Sequence, residues 1–318
     1  MGIEGLNPSA LLLLAGVAID AILGDPQFRL HPIRLMGDTL SAFERMLRGC
    51  GLDGYVGGCL LLLLLSLTWV VAPSWIVVSI LRWNANAGTA VHILIVYAFF
   101  ALRDLIDHIR KVQNAANRED IVEARKAIGM LVGRDVDKMD IAACRRAAIE
   151  SLSENFVDGV LSPVFWYVLL GIPGLLLFKV VSTMDSMVGY KTPKYIYFGW
   201  CGARLDDLMN YLPSRLSWLL IGVFRIPKGW EIGLAQHAVL PGPNPGWSEA
   251  TMAGALDRRL IGPIWKEGHL VTDTWLGDPE SPAAGSEQDV TNAIRIVMIA
   301  SAVTVVIGMI SIIGVWKR

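Results

Sequence analysis

Cysteine is scarce in this chain of 318 residues: Cys50, Cys59, Cys144 and Cys201 stand far apart, with no CxxC pair among them. That spacing excludes a zinc ribbon and suggests no disulfide framework. A basic excess is missing too, since 28 lysines and arginines meet 29 aspartates and glutamates for a net charge of −1. The basic residues are dispersed, which argues against nucleic acid as a partner. Charge of either sign is thin at 18%, against 53% hydrophobic residues and a mean hydropathy of +0.48. Such a balance belongs to a chain solvated by lipid. No internal repeat and no low-complexity array is present.

What is there is a series of apolar runs. Val56 to Leu81 and Ala293 to Trp316 have the roughly 20 residues a helix needs to cross the hydrocarbon core. Ala10 to Leu23 and Thr89 to Leu102 are shorter and carry Asp20 and His92, and are read as spans with polar ends. The first is taken as a retained anchor rather than a signal peptide, because Glu4 replaces a basic leader and Gly24-Asp25-Pro26 is a poor cleavage site. Two further runs are interrupted: Val160 to Val181 by Pro163 and Gly171-Ile172-Pro173-Gly174, and Leu212 to Ile226 by Pro213 and Arg215. Broken helices survive at membrane depth only where protein or a watery cavity satisfies the freed backbone, so both are expected to line a site as re-entrant or interfacial helices.

Between residues 103 and 159 the apolar positions recur at helical spacing, as Leu105, Ile109, Val112 and then Ile121, Ala124, Ile128, Leu131. These are amphipathic helices outside the bilayer. Arg29, Arg34, Arg45 and Arg48, and the basic residues after Leu102, place the segments that hold them on the cytoplasmic side. Lys317-Arg318 prefers the same side, which leaves the topology of 160–226 open. Pro241 to Gly246 and Gly277 to Gly285 read as loops. The expectation is an all-α polytopic membrane protein with about four to five transmembrane helices. It is taken as a single domain over 1–318 with a cytoplasmic hydrophilic segment at 103–159.

The densest polar cluster runs from Arg204 through Asp206, Asp207 and Asn210 to Arg215. On a helix Asp206 and Asn210 lie four apart and Asp207 and Asn210 three apart, so oxygen ligands converge on one face. Mg²⁺ suits such a set, because it takes one or two carboxylates and leaves other positions to water and phosphate; Arg204 and Arg215 are phosphate candidates. A solvated acidic helix start with charge pairs is the plainer alternative. Arg146, Glu150, Glu154 and Asp158 form a second constellation along one helical stripe. It is either a salt-bridged surface or an amine or metal site.

Near the first span, Gly24-Asp25-Pro26 and His31-Pro32-Ile33-Arg34 put Asp25, His31 and Arg34 at a turn by the membrane surface. His31 is a candidate for proton transfer, with a structural role as its alternative, and Arg34 is a candidate anion contact. The stretch Asp185 to Lys191 is not a P-loop, since Tyr190 separates Gly189 from Lys191. Asp185 and Lys191 remain candidate ligand residues. In Pro243-Asn244-Pro245-Gly246-Trp247-Ser248-Glu249, Ser248 is a candidate cap, and Glu249 either favours the helix dipole or meets substrate.

Together GDP…HPIR, VGRD at 132–135, SENFVDG at 153–159, DSMVGYK, ARLDDLMNYLPSRL and PNPGWSEATMAGAL resemble the adenosylcobinamide-phosphate synthase family of cobamide (vitamin B12) biosynthesis, often called CbiB or CobD. No role is carried over onto Leu256 to His269, where Asp257-Arg258-Arg259 departs from the family pattern, in which a glycine commonly follows. The resemblance implies a membrane enzyme that joins aminopropanol phosphate, or a similar amino alcohol phosphate, to the free propionate of adenosylcobyric acid, with ATP as co-substrate and Mg²⁺ required. On that reading Asp206, Asp207 and Asp185 hold the metal. Arg134, Arg204 and Lys191 bind phosphate, with Arg34, Asn155, Asn210, Arg215, Asn244 and Glu249 as further substrate contacts. Glu154 or Asp158 accepts the amine proton, with His31 as a further catalytic candidate. The expected partners are these substrates, the lipid of the cell membrane and other membrane-bound enzymes of the pathway, with the site facing the cytoplasm. The alternatives are an Mg-dependent membrane prenyl- or phosphotransferase, which also uses acidic pairs, and a transporter built on discontinuous helices.

Overall fold

The computed structural model describes residues 3–24 and 31–316; Asp25, Arg29, Lys317 and Arg318, which entered the turn and topology readings, lie outside the described residues, as does the side chain of Glu4. The fold is that of an all-helical polytopic membrane protein. Among the described residues, four helical stretches are long and apolar enough to cross a membrane: Tyr55–Trp83, Ala85–Asn117, Ile141–Val188 and Glu287–Trp316, with Ala10–Leu23 as a shorter apolar helix. The chain packs as two compact units that interleave in sequence.

The first unit comprises Met1–Ala101, Ser162–Asn210 and Thr304–Arg318. It holds α1 (Ala10–Leu23), α2 (Pro32–Gly49), α3 (Tyr55–Ser66), α4 (Ala72–Trp83) and α5 (Ala85–Phe99), later joined by α9 (Ser162–Val188) and α10 (Trp200–Met209). A π-helical turn, Leu67–Val71, joins α3 to α4. The expected break in α9 is present: Gly171 has φ 65° and ψ −147°, and Pro173 follows inside the helix. A side chain at Gly171 would strike the carbonyl of Leu6, so the freed backbone is covered by the chain's own N-terminal segment. Nearby, the Tyr167 hydroxyl receives the Ser9 N–H at 3.0 Å and lies 2.8 Å from His92 Nε2. His92, the polar residue of the expected span Thr89 to Leu102, is thus buried within a polar chain internal to this unit. Phe178, Val181 and Met209 form an apolar cluster, and the Trp166 indole donates to the Met209 carbonyl at 3.1 Å, fixing α10 against α9.

The second unit comprises Leu102–Leu161 and Tyr211–Val303. Its early helices are α6 (Leu102–Asn117), α7 (Ile121–Gly129) and α8 (Ile141–Phe156), followed by a π turn, Val157–Leu161. On α6 and α7 the buried positions Leu105, Ile109, Val112, Ala124 and Ile128 are those the helical spacing marked. Next come α11 (Tyr211–Gly222), α12 (Lys228–Gln236) and α13 (Pro245–Leu256). Pro213 sits in the first turn of α11, where its missing N–H costs nothing. The helix is therefore unbroken at Pro213 and runs to Gly222, where a 3₁₀ turn, Val223–Arg225, takes over. Its 12 residues reach about 18 Å, too short to cross a bilayer core of about 30 Å.

One element is outside the all-helical expectation. Leu260–Lys266 (β1) and His269–Leu276 (β2) pair antiparallel, with an irregularity between Ile264 and Trp265. The connecting residues Glu267 and Gly268 both have positive φ, 53° and 80°, the conformation a two-residue hairpin turn requires. The last helix, α14 (Glu287–Trp316), begins in the second unit.

Candidate active site

In the first unit the polar residues gather around α10. Asn210 caps its C-terminal end; its amide donates to Asp206 Oδ2 at 3.1 Å, and its oxygen accepts the Ser162 hydroxyl at 2.5 Å. The expected pairing of Asp206 with Asn210 is present, and it ties a buried asparagine to the start of α9. Asp207 faces Arg204 at 3.7 Å. Burial raises the Asp207 pKa above the ordinary aspartate range, while the positive charges of Arg204 and Lys191 act against the rise. Asp185 on α9 lies within electrostatic reach of Asp207, and its carboxylate packs so closely on Gly189 that a side chain there would collide with it. Asp185, Lys191, Arg204 and Asp207, drawn from two motifs, thus come together. Among the described residues no group of three or more His, Cys, Asp or Glu side chains converges as a metal cage. The donor set fits an ion that takes one or two carboxylates and completes its shell with water and phosphate. His31 is buried at the N-cap position of α2, while Arg34 is exposed on that helix.

The second unit contains a cavity of about 440 Å³, within the range of small-molecule sites. Its walls come from the loop after α7 (Gly133, Arg134), from α8 (Glu150, Ser151, Glu154), from Pro241 and Pro245, from Glu249 on α13, and from the hairpin (Ile261, Ile264, Lys266, Val271). The stripe on α8 explains much of this. Arg146 turns away from the cavity chemistry, donating to the carbonyls of Ile261 at 2.9 Å and Ala284 at 3.2 Å. One turn on, Glu150 accepts the Ile261 N–H at 2.9 Å and is ion-paired with the Arg134 guanidinium. Another turn on, Glu154 faces the cavity. Asp158 falls in the π turn and is not among the lining residues.

The VGRD motif divides its labour. Arg134 enters the cavity, with Nε buried and without a hydrogen-bond partner. Asp135 holds the hairpin: its N–H donates to Trp265 O and its carboxylate accepts from Gly268 N–H, both at 2.8 Å. Lys138 adds a cation–π contact, its Nζ 3.3 Å from the Trp265 ring centre. On the opposite wall α13 starts at Pro245, since proline suits the first helical position. This corrects the expected cap: Ser248 donates to Pro245 O at 3.2 Å, and Glu249 lies beyond the first turn, so neither serves the helix start. Glu249 is 6% exposed. Burial above all, and then the charges of Glu154 and Glu150, push its pKa well above the ordinary glutamate range against the pull of Arg134.

The remaining expected contacts are engaged locally. Asn155 donates to Ser151 O at 2.8 Å. Arg215 donates to Tyr211 O at 2.8 Å and Asn244 Oδ1 at 3.0 Å, and stacks over the Tyr211 ring at 3.5 Å. Glu150 and Lys266 are charged residues of the cavity lining beyond the expected catalytic and binding set; the stripe signalled the first, and nothing local signalled the second.

The fold is that of a polytopic membrane protein, and one of its two units holds a cavity lined in part by Glu150, Glu154 and Glu249. The chain belongs to the CobD/Cbib family, whose model, described as CobD/Cbib protein, matches residues 13–297. It is similar to the cobalamin biosynthesis protein CobD of Sinorhizobium sp, with 38% identity over 302 residues that cover 89% of this chain and 92% of that protein. It is also similar to the cobalamin biosynthesis protein CbiB of Salmonella typhimurium, with 36% identity over 295 residues that cover 89% and 91%. No solved structure matches the chain.

Proposed function

We propose that the protein is an enzyme of cobalamin biosynthesis that forms an amide bond between the free propionate of adenosylcobyric acid and an amino alcohol phosphate such as aminopropanol phosphate, at the cytoplasmic side of the cell membrane. The observation that carries this reading is the cavity in which Glu154, Glu249 and the Arg134–Glu150 pair meet, in a member of this family. A carboxylate is a poor electrophile, so phosphoryl transfer from ATP gives an acyl phosphate and ADP. The neutral amine nitrogen then attacks the acyl carbon, phosphate departs, and the nitrogen loses a proton. Glu154 is the acceptor of that proton, because it faces the cavity and is exposed, so that the proton can pass on to solvent. Lys191 and Arg204 bind phosphate oxygens. Asp207 and Asp206, with Asp185 beside them, would hold Mg²⁺, which when bound neutralises phosphate charge.

The test is incubation of the detergent-purified protein with adenosylcobyric acid, aminopropanol phosphate, ATP and Mg²⁺, following corrinoid mass and nucleotide products. Adenosylcobinamide phosphate appearing with ADP supports the reading. An unchanged corrinoid, in protein that melts cooperatively, overturns it.

A further inference from the structure

Two of the four cysteines meet where α3 packs on α10 in the first unit. Cys59 stands one turn into α3 and is exposed, while Cys201 is half-buried in the first turn of α10. Their side chains are hydrogen-bonded to each other. The long stretch of chain between them hides this pairing from any spacing rule.

The backbone beneath the sulfurs is equally close. A side chain at Gly58, next to Cys59, would strike the Phe198 carbonyl, and one at Gly57 would stand 3.0 Å from the Phe198 ring. Glycine thus lets α3 approach the residues that lead into α10. A disulfide needs such an approach, since the Cα atoms of a bridged pair stand about 4.4–6.8 Å apart. Water is near this end of α3. Tyr55, its first residue, meets the rings of Tyr197 and Trp200 edge-on with centroids 5.4 and 5.5 Å away, and such aromatic groups gather at the membrane–water boundary. Arg48 and Asp53, ion-paired at 3.3 Å, precede it. Cys59 is therefore about one helical turn from the interface.

We propose that Cys59 and Cys201 form a reversible dithiol–disulfide site, oxidised by a small disulfide of the glutathione disulfide class. Cys59, the exposed sulfur, attacks first as its thiolate. The S–S bond of the oxidant breaks, a mixed disulfide forms on Cys59, and one small thiolate leaves and takes up a proton. Cys201 then gives up its proton and attacks the Cys59 sulfur, which forms the Cys59–Cys201 bond and releases the second small thiol. Two protein thiols are oxidised, the small disulfide is reduced to two thiols, and both protons end on these. Burial, and then the hydrogen bond with Cys59, push the Cys201 thiol up to about 11. That suits Cys201 to the second, intramolecular attack rather than the first. On the cytoplasmic orientation that Arg45 and Arg48 favour, the bond is a transient one that reports redox state. It would clamp α3 to the first turn of α10, the helix that carries Arg204, Asp206 and Asp207.

Reduced full-length protein in detergent, in a Cys50→Ser background that removes the other exposed thiol, is treated with glutathione disulfide. It is then unfolded, its remaining thiols are alkylated, and its peptides are mapped by mass. The expected result is loss of both thiols with Cys59 joined to Cys201, no glutathione retained on either, and Cys144, buried on α8, still alkylated; dithiothreitol restores the pair. Cys201→Ser in the same background is expected to trap glutathione on Cys59 as the stalled mixed disulfide. Glutathione held on Cys59 while Cys201 is present, two unmodified thiols, or a bond between two chains in place of the internal one overturns the proposal. If a variant does not fold, the wild-type peptide map decides alone. These readouts are sulfurs and masses, so the outcome stands apart from that of the ligation assay.

Discussion

The Glu150 carboxylate accepts the main-chain N–H of Ile261 at 2.9 Å, across 111 positions of sequence. The same carboxylate pairs with Arg134, so one side chain joins α8, the VGRD loop and the hairpin. Both partners are nearly buried, with side chains 11% and 8% exposed for Arg134 and Glu150. Removing one member of such a pair leaves an uncompensated charge and costs about 3–5 kcal/mol. Glu150→Ala is expected to lower the melting temperature in detergent clearly, and Arg134→Met in the same background to recover part of it. Equal melting temperatures for Glu150→Ala and wild type would refute the bridge.

Glu249 contributes in the opposite sense. Its folded pKa is raised, so above the ordinary glutamate value of 4.5 the unfolded chain loses a proton that the folded one retains, and stability falls as pH rises toward the folded pKa. Glu249→Gln removes this penalty. Its melting temperature is expected to exceed that of wild type by an amount that grows between pH 5 and 8, while ligation falls, as is common where a site is strained for function. Thermal scans across that range, beside the ligation assay, check both halves.

In the first unit, Asp207→Asn is expected to cut turnover by about two orders of magnitude, the scale of losing one electrostatic group, with an unchanged melt. Gly189→Ala displaces the Asp185 carboxylate, since the new methyl group would occupy its place, and misplacement near a reacting centre costs about ten- to a hundredfold. The pair is measured in the same ligation assay against Mg²⁺ concentration, and wild-type turnover in either variant removes these residues from the metal-phosphate role.

At Asp257 the prediction concerns pH alone. Lys228 and Ser281 donate to its carboxylate, with Arg225 nearby at 2.8 Å, and hold its pKa below the ordinary aspartate value; Asp257 and Asp278 raise that of Lys228. A depressed carboxylate contributes stability above 3.8 that is lost as pH falls through the folded value. A raised lysine contributes below 10.5 and loses its share as pH rises through its own. Asp257→Asn should therefore melt lower than wild type between about pH 4 and 10 and converge with it at the acid end. A constant difference down to pH 2 would contradict this.

The membrane helices were legible because twenty apolar residues admit few other fates; Tyr55–Trp83 and Glu287–Trp316 contain the runs Val56 to Leu81 and Ala293 to Trp316. The amphipathic stripes of α6 and α7 were legible for the same local reason. The hairpin was not. Its turn is Glu267-Gly268 rather than an Asn-Gly or Asp-Gly pair, and its strands follow Asp257-Arg258-Arg259, where no family pattern guided the reading. Asp257 itself adopts φ 55° and ψ 50° at the end of α13, a conformation usually left to glycine, and its salt bridges compensate. Within the candidate site, Glu154, Arg134 and Glu249 were named from motifs. The pairing of Glu150 with Arg134 depends on loop geometry that no spacing rule encodes, and Lys266 depends on the hairpin. The division into two interleaved units depends on non-local packing and left no periodic trace.

The closure of the α9 break by Leu6 has a consequence for the order of assembly. Residues 6–9 leave the ribosome long before residues 167–171, yet the Leu6 carbonyl packs on Gly171 and the Ser9 N–H bonds to Tyr167. The first helix can insert early, but its leading turn finds its seat only after more than half of the chain has been made. Contacts of such long sequence separation form late. Residues 6–9 are therefore among the last to lock, like a keystone cut first and set last.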